Sequence, residues 1–128
     1  MNRADIRRSC VPASTGIMDA RSIARHYAAL TGDGVDGIRL LSDATLDEAL
    51  RHRPLPGEQR AAFGLGYGLY GPDSNPGAVF GHGGYGGSVG WADRRHALAF
   101  GFAKARMGAG GDEIVAEVRR CLGCEATK

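Results

Sequence analysis

The run Gly81-His82-Gly83-Gly84-Tyr85-Gly86-Gly87-Ser88-Val89-Gly90 constrains this chain more than any other segment, because six of its ten residues carry no side chain. Such a stretch cannot hold itself in place by packing its own side chains. It is used where another backbone, a ligand or a helix must come close. A second cluster, Gly108 to Gly111, sits further along. Glycine totals 21 of 128 residues, about twice the usual ~7% or more, yet no Gly-x-y period is present, which excludes collagen and points to close backbone approach at one locus.

At 128 residues the chain is long enough for one domain, residues 1–128, with no internal boundary. Leu, Ile, Val and Phe number 25, a low share that would signal disorder only with a high net charge, and the charge is +2. The cations are 14 Arg and 2 Lys interspersed with 14 acids, and only Arg3, Arg7 and Arg8 form a local group, read as a solvated tail. No nucleic-acid partner is expected. No uninterrupted apolar run, Ala97 to Ala103 among them, approaches a membrane span, and no apolar segment follows Met1 as a signal peptide would require. A chain without a membrane partner, cytoplasmic by default, is the expectation.

Cys10, Cys121 and Cys124 are an odd number in a chain without an export signal, which argues against a disulfide framework. Cys121-x-x-Cys124 lacks a second pair or a histidine cluster in sequence to complete a zinc site. It also closes a predicted helix, where the negative dipole end raises a thiol pKa. A structural role, no metal and no cofactor are expected.

Asp19 to Leu30 reads as an amphipathic helix capped by Asp19, with Ile23, Tyr27 and Leu30 on one face and Gly32 as its stop. Ser42 caps a second helix running to about Arg51, with Leu41 and Leu46 placed as a hydrophobic staple, and Arg53-Pro54-Leu55-Pro56-Gly57 breaks it. Gly64 to Tyr70 alternates glycine with large apolar residues and reads as a strand from about Phe63. After the turn-rich Pro72 to Gly77, Val79 to Ala92 and Ala97 to Ala105 read as two strands joined by a hairpin at Asp93 to His96. Asp112 to Leu122 reads as a closing helix with Ile114, Val115, Val118 and Leu122 on one stripe, docking Ile114, Val118, Cys121 and Leu122 on the sheet. The fold class is α+β: an antiparallel sheet of about three strands with flanking helices.

The glycine run satisfies several motifs at once. Gly81-x-Gly83-x-x-Gly86 fits a dinucleotide fingerprint, but that motif must open a helix, and Ser88 to Ala92 reads as strand. Gly86-x-Ser88-x-Gly90 fits a nucleophile elbow, yet its acid and histidine would have to be Asp93 and His96, too close in sequence for that fold's triad.

A third reading is a resemblance. The run Val79 to Asp93, continuing through Ala99-Phe100-Gly101-Phe102-Ala103 to Gly108, resembles the C-terminal strands of the serine beta-lactamase-related family, which includes class C beta-lactamases, penicillin-binding proteins and carboxylesterases of the same fold. Pro12 to Leu30 is similar to the helix preceding those strands in esterase-like members, so the resemblance spans about residues 10 to 122. It implies the C-terminal part of a beta-lactamase/transpeptidase-like fold. His82-Gly83-Gly84 stands at the family's active-site strand motif of a basic or polar residue, a small residue and Gly. The resemblance implies that the Tyr85 backbone N–H is an oxyanion donor and that His82 orients substrate or tunes the catalytic base. The competing role for His82 is that of an ordinary strand residue bonded to a neighbour.

The family acts through Ser-x-x-Lys, helped by a Tyr-x-Asn type motif. The lysines here are Lys104 and Lys128, preceded at three residues by Gly101 and Glu125, and no tyrosine has Asn two residues on. The expected identity is therefore the last third of an esterase-like serine hydrolase, inactive alone. An ester or amide substrate is expected only if the N-terminal part is supplied, and ester is favoured over beta-lactam. A truncated relic, a split-gene product and a fragment all fit. The alternative is a non-enzymatic module that self-associates through an exposed sheet edge.

Overall fold

The computed structural model describes residues 3–12, 16–53, 63–108 and 110–124. Its elements, in chain order, are α1 (Ala4–Arg8), α2 (Ala20–Ala28), α3 (Asp43–Ala49), β1 (Gly68–Leu69), β2 (Val79–Gly83), β3 (Val89–Asp93), β4 (Leu98–Phe102) and α4 (Gly111–Cys121), with a 3-10 turn at Pro76–Ala78 before β2. The strands form one antiparallel sheet in the order β1-β2-β3-β4. The class is α+β, as expected.

The caps read from sequence are in place. Asp19 accepts from the Ser22 N–H at 2.7 Å and starts α2, and Ser42 accepts from the Thr45 N–H at 3.2 Å and starts α3. Leu41 packs against the cluster that holds Leu46, so the staple closes. Gly32 and Gly123 follow their helices with φ of +53° and +68°. The helix α1 was not foreseen; it buries nothing, and Arg3 pairs with Asp5 at 2.7 Å beside it. Pro54 to Gly57, read as a helix breaker, lies outside the described residues.

The sheet departs from expectation in its strand count, four instead of about three. The stretch Val79 to Ala92, read as one strand, is two strands folded back on each other, with His82 opposite Gly90 and Gly83 opposite Val89. Their loop is Tyr85-Gly86-Gly87: the Gly87 N–H donates to the Gly84 carbonyl at 2.9 Å and the Gly84 N–H to the Ser88 carbonyl at 2.7 Å. Gly87 has φ +86°. A turn followed by a left-handed residue is a standard three-residue hairpin, and a glycine supplies that residue without strain. Of Phe63 to Tyr70, only Gly68 and Leu69 form a strand. Gly64 to Tyr67 is a tight turn, with the Gly64 N–H on the Tyr67 carbonyl and Gly66 at φ +81°, and beyond it Phe63 bridges back to Gly68.

Side chains alternate across the sheet and build two cores. On one face Phe80 and Ala92 meet Tyr27, Leu30, Leu46, Leu50 and Leu69. On the other, Val79, Val89 and Trp91 pack with Leu98, Phe100, Phe102 and Val115. Gly90 and Gly101, paired in register between β3 and β4, let α2 lie directly on the strands: a Cβ on Gly90 would overlap Ile23 and the Tyr27 ring, and one on Gly101 would overlap the backbone of Ala20 and Ala24.

The closing helix α4 docks differently from the reading above. Ile114, Cys121 and Leu122 are exposed, and Val115 with Arg119 faces inward. Arg119 is 1% exposed; its guanidinium lies 5.3 Å from the Trp91 ring centre and donates to the Asp93 carboxylate at 3.0 Å. The helix is fastened by a buried ion pair as well as by an apolar stripe.

Candidate functional site

Hydrogen-bond parity along β2 decides which of its backbone groups are open. The Gly84 N–H donates to the Ser88 carbonyl on the β3 side, and the Val79 carbonyl accepts from the Tyr70 N–H on the β1 side. In an antiparallel ladder successive residues face alternate neighbours, so Val79, Gly81 and Gly83 present their backbone groups toward β1. Gly81 is paired there with Gly68, where β1 begins. Among the described residues, no strand continues the ladder alongside Gly83. A Cβ on Gly83 would likewise meet nothing within 4 Å.

His82 is exposed, opposite Gly90 in register, and its ring lies 6.0 Å from that of Phe63. Gly84 is committed to the hairpin. Tyr85 follows at the apex of the loop with its side chain 99% exposed. The sequence-predicted residues His82, Gly83, Gly84 and Tyr85 thus lie consecutively where β2 leaves the sheet.

The two glycine clusters meet beside this segment. The Gly108 N–H donates to the Gly86 carbonyl at 3.2 Å, and a Cβ on Gly111 would stand 2.6 Å from the Gly87 carbonyl oxygen. Lys104 donates from its N–H to Ser88 Oγ at 3.1 Å and from Nζ to the Gly108 carbonyl at 3.1 Å. Ser88 therefore sits at a hairpin base and not on a strand-to-helix turn. Asp93 closes the far end of β3 and His96 lies beyond it, so Asp93 is roughly 15 Å or more from Ser88 at ~3.3 Å per residue. No helix follows Gly86 either, so neither the elbow nor the dinucleotide fingerprint has its structural context.

Behind His82, three tyrosines are held protonated by their surroundings. Burial, then the neighbouring Tyr67 and Tyr70, push the Tyr27 phenol up to about 12, with the His82 backbone partly opposing; burial also raises Tyr67, and burial with the Asp112 charge raises Tyr70. These groups support the strand and offer no base at neutral pH.

Sequence reasoning missed the polar centre at Asp93. This fully buried carboxylate accepts from Arg119 at 3.0 Å and from the Arg95 N–H at 3.0 Å, and His96 Nδ1 lies 3.0 Å from it. Burial alone would raise its pKa, but the bonds from His96, Arg95 and Arg119 outweigh that and hold it at about 2. Cys124, also buried, brings a third donor type to Asp93 and His96, their ligand atoms lying within 4.8 Å of one another. Two guanidinium groups on the same carboxylate oppose a dication there. The only sequence signal was Arg119 in the last turn of a helix, indistinguishable from a solvated dipole partner.

A cleft of about 460 Å³ runs from the open side of β2 to α4, bordered by Phe63, Tyr70, His82 and Gly83 and floored by Trp91. Among the described residues no helix is long and apolar enough to cross a membrane.

The beta-lactamase family model matches residues 1–122. A curated protein of Mycobacterium tuberculosis (strain ATCC 25618 / H37Rv), named "Esterase/beta-lactamase LipL", is 38% identical over 104 residues, which cover 76% of this chain and 24% of that protein. The chain therefore spans about a quarter of the relative's length. Since the family match takes in the three helices that precede the sheet, all four strands and the helix that closes it, this chain belongs to the beta-lactamase family.

Proposed function

We propose that the chain supplies the acyl-binding strand of a beta-lactamase-related serine hydrolase acting on esters, and that it breaks no covalent bond alone. The observation that carries this reading is the open backbone of Gly83 at the end of β2, next to His82 and the cleft. An extended acyl group laid antiparallel to that edge exchanges hydrogen bonds with the Gly83 N–H and carbonyl, and the absence of a side chain on Gly83 and Gly84 lets it approach. Its carbonyl oxygen then points toward the Tyr85 N–H, one donor of an oxyanion hole, a contribution worth about 10² to 10³ in rate where a nucleophile is present. His82, exposed at the mouth, orients the substrate or tunes the base.

The nucleophile and its activating lysine have to come from elsewhere, because no Ser-x-x-Lys occurs in the sequence. Ester is favoured over beta-lactam by the His-Gly-Gly form of the strand motif, and the relative's name, which gives esterase beside beta-lactamase, is compatible with it. The purified chain should therefore hydrolyse neither a short-chain p-nitrophenyl ester nor a chromogenic beta-lactam above a heat-killed control. A saturable rate abolished by Ser88→Ala would overturn the reading.

One observation favours the second reading, an interaction module. β4 is an edge strand whose residues are all half-buried, and its outer side has no partner strand among the described residues. Such an edge pairs readily with another chain.

A further inference from the structure

The cleft beside the open edge of β2 has a distinctive charge arrangement. Its volume, about 460 Å³, lies in the range of small-molecule sites, and Phe63, Tyr70, Val79, Val89 and Val115 give it apolar walls. Two residues of fixed opposite charge line it, Arg119 and Asp112. The Arg119 guanidinium is buried and bonded to Asp93 at 3.0 Å, so its positive charge is largely neutralised by that carboxylate. Asp112 stands exposed in the first turn of α4, where it and Glu113 already answer the positive end of the helix dipole. Its charge reaches Tyr70 on the opposite wall, helping burial hold that phenol above its ordinary pKa. An entering group therefore meets apolar surface and, among the described residues that line the cleft, a single carboxylate, that of Asp112.

We propose that this cleft receives the apolar body of a neutral ester and turns carboxylates away, with Asp112 as the specificity-determining residue. The proposal rests on the reading of the β2 edge as the acyl-binding strand. The ester carbonyl lies along Gly83, and the rest of the molecule crosses Phe63 and Tyr70 toward Trp91. A carboxylate on the same apolar body would be brought beside the exposed Asp112 at the rim of the apolar walls, where like charges repel at low salt and are screened as salt rises.

Occupancy can be read without catalysis, because Trp91 is the single tryptophan of the chain and forms the floor of the cleft. The intact chain is titrated with methyl octanoate and, separately, with octanoate, at pH 8 and low salt, following tryptophan emission. The ester should shift the emission saturably and bind at least about tenfold more tightly than the carboxylate. Asp112→Asn should bring the two within about threefold, and roughly half-molar salt should narrow the gap in the unsubstituted chain by screening. The salt series keeps the test decisive if Asp112→Asn fails to fold. Equal binding of ester and carboxylate, or a gap that neither salt nor Asp112→Asn narrows, overturns the assignment of Asp112. If neither compound moves the emission, the cleft binds no such ligand and the proposal falls, while the role of the β2 edge still stands or falls on catalysis in a complete enzyme.

Discussion

At the scale of single residues, stability concentrates at Asp93. A buried carboxylate survives only when its partners supply enough hydrogen bonds, and here Arg119, Arg95 and His96 do so together. Arg119→Met keeps the bulk of the stem against Trp91 but removes the charge, so urea denaturation at pH 7 should show a loss of about 3 kcal/mol. A loss under ~1 kcal/mol would mean that α4 is not fastened through this pair. The pH dependence has a definite sign. The Asp93 carboxyl is depressed to about 2 from an ordinary 3.8, so the stability it contributes is complete above about pH 4 and is lost as the pH falls toward 2. Asp93→Asn should flatten that acid limb, seen as similar urea midpoints at pH 5 and pH 3, against a clear drop for the unsubstituted chain.

At the scale of elements, glycines that look alike in sequence do different work. Gly90 and Gly101 form the seat of α2, whereas a side chain on Gly83 would meet open space. Gly90→Ala should lower stability by about 1 to 3 kcal/mol through overpacking, while Gly83→Ala should change it by less than about 0.5 kcal/mol. Thermal melts of the two variants check this, and equal losses would contradict the packing described. This contrast also shows what the sequence could and could not reveal. Helices α2 and α3 were legible because Asp19, Ser42, Gly32 and the Leu41–Leu46 staple are local signals, satisfied within one turn. The hairpin inside Val79 to Ala92 was not, because Gly84 to Gly87 offers turn residues at every position and the break depends on long-range pairing of Phe80 with Ala92. The docking face of α4 was misjudged because Arg119 finds its partner 26 residues away on β3. The segment His82 to Tyr85 was legible as a contiguous family pattern, and its role as a site is the one proposed above. The neighbouring cleft, assembled from Phe63, Tyr70, Trp91 and Asp112, has no contiguous signature.

At the scale of the whole molecule, the chain carries a complete hydrogen-bonded sheet with helices on both faces, yet matches about a quarter of its M. tuberculosis relative. Its two exposed edges, β4 and the Gly83 end of β2, should make it associate as concentration rises. Light scattering behind size-exclusion chromatography should show mass increasing with loading, and a sharply melting monomer at every concentration would argue that the chain is self-sufficient. Its place in catalysis is open to a more direct test. The segment of the M. tuberculosis protein that aligns with this chain can be replaced by this chain, and ester hydrolysis of the chimera measured with and without Gly83→Val. A valine there crowds the approach to the strand edge, and its Cβ meets nothing in the fold within 4 Å. The account predicts an active chimera whose Gly83→Val form melts at the same temperature and hydrolyses the ester about 10² to 10³ times more slowly, as expected if the displaced acyl group no longer reaches the Tyr85 N–H; an equally stable Gly83→Val chimera with an unchanged rate would contradict it.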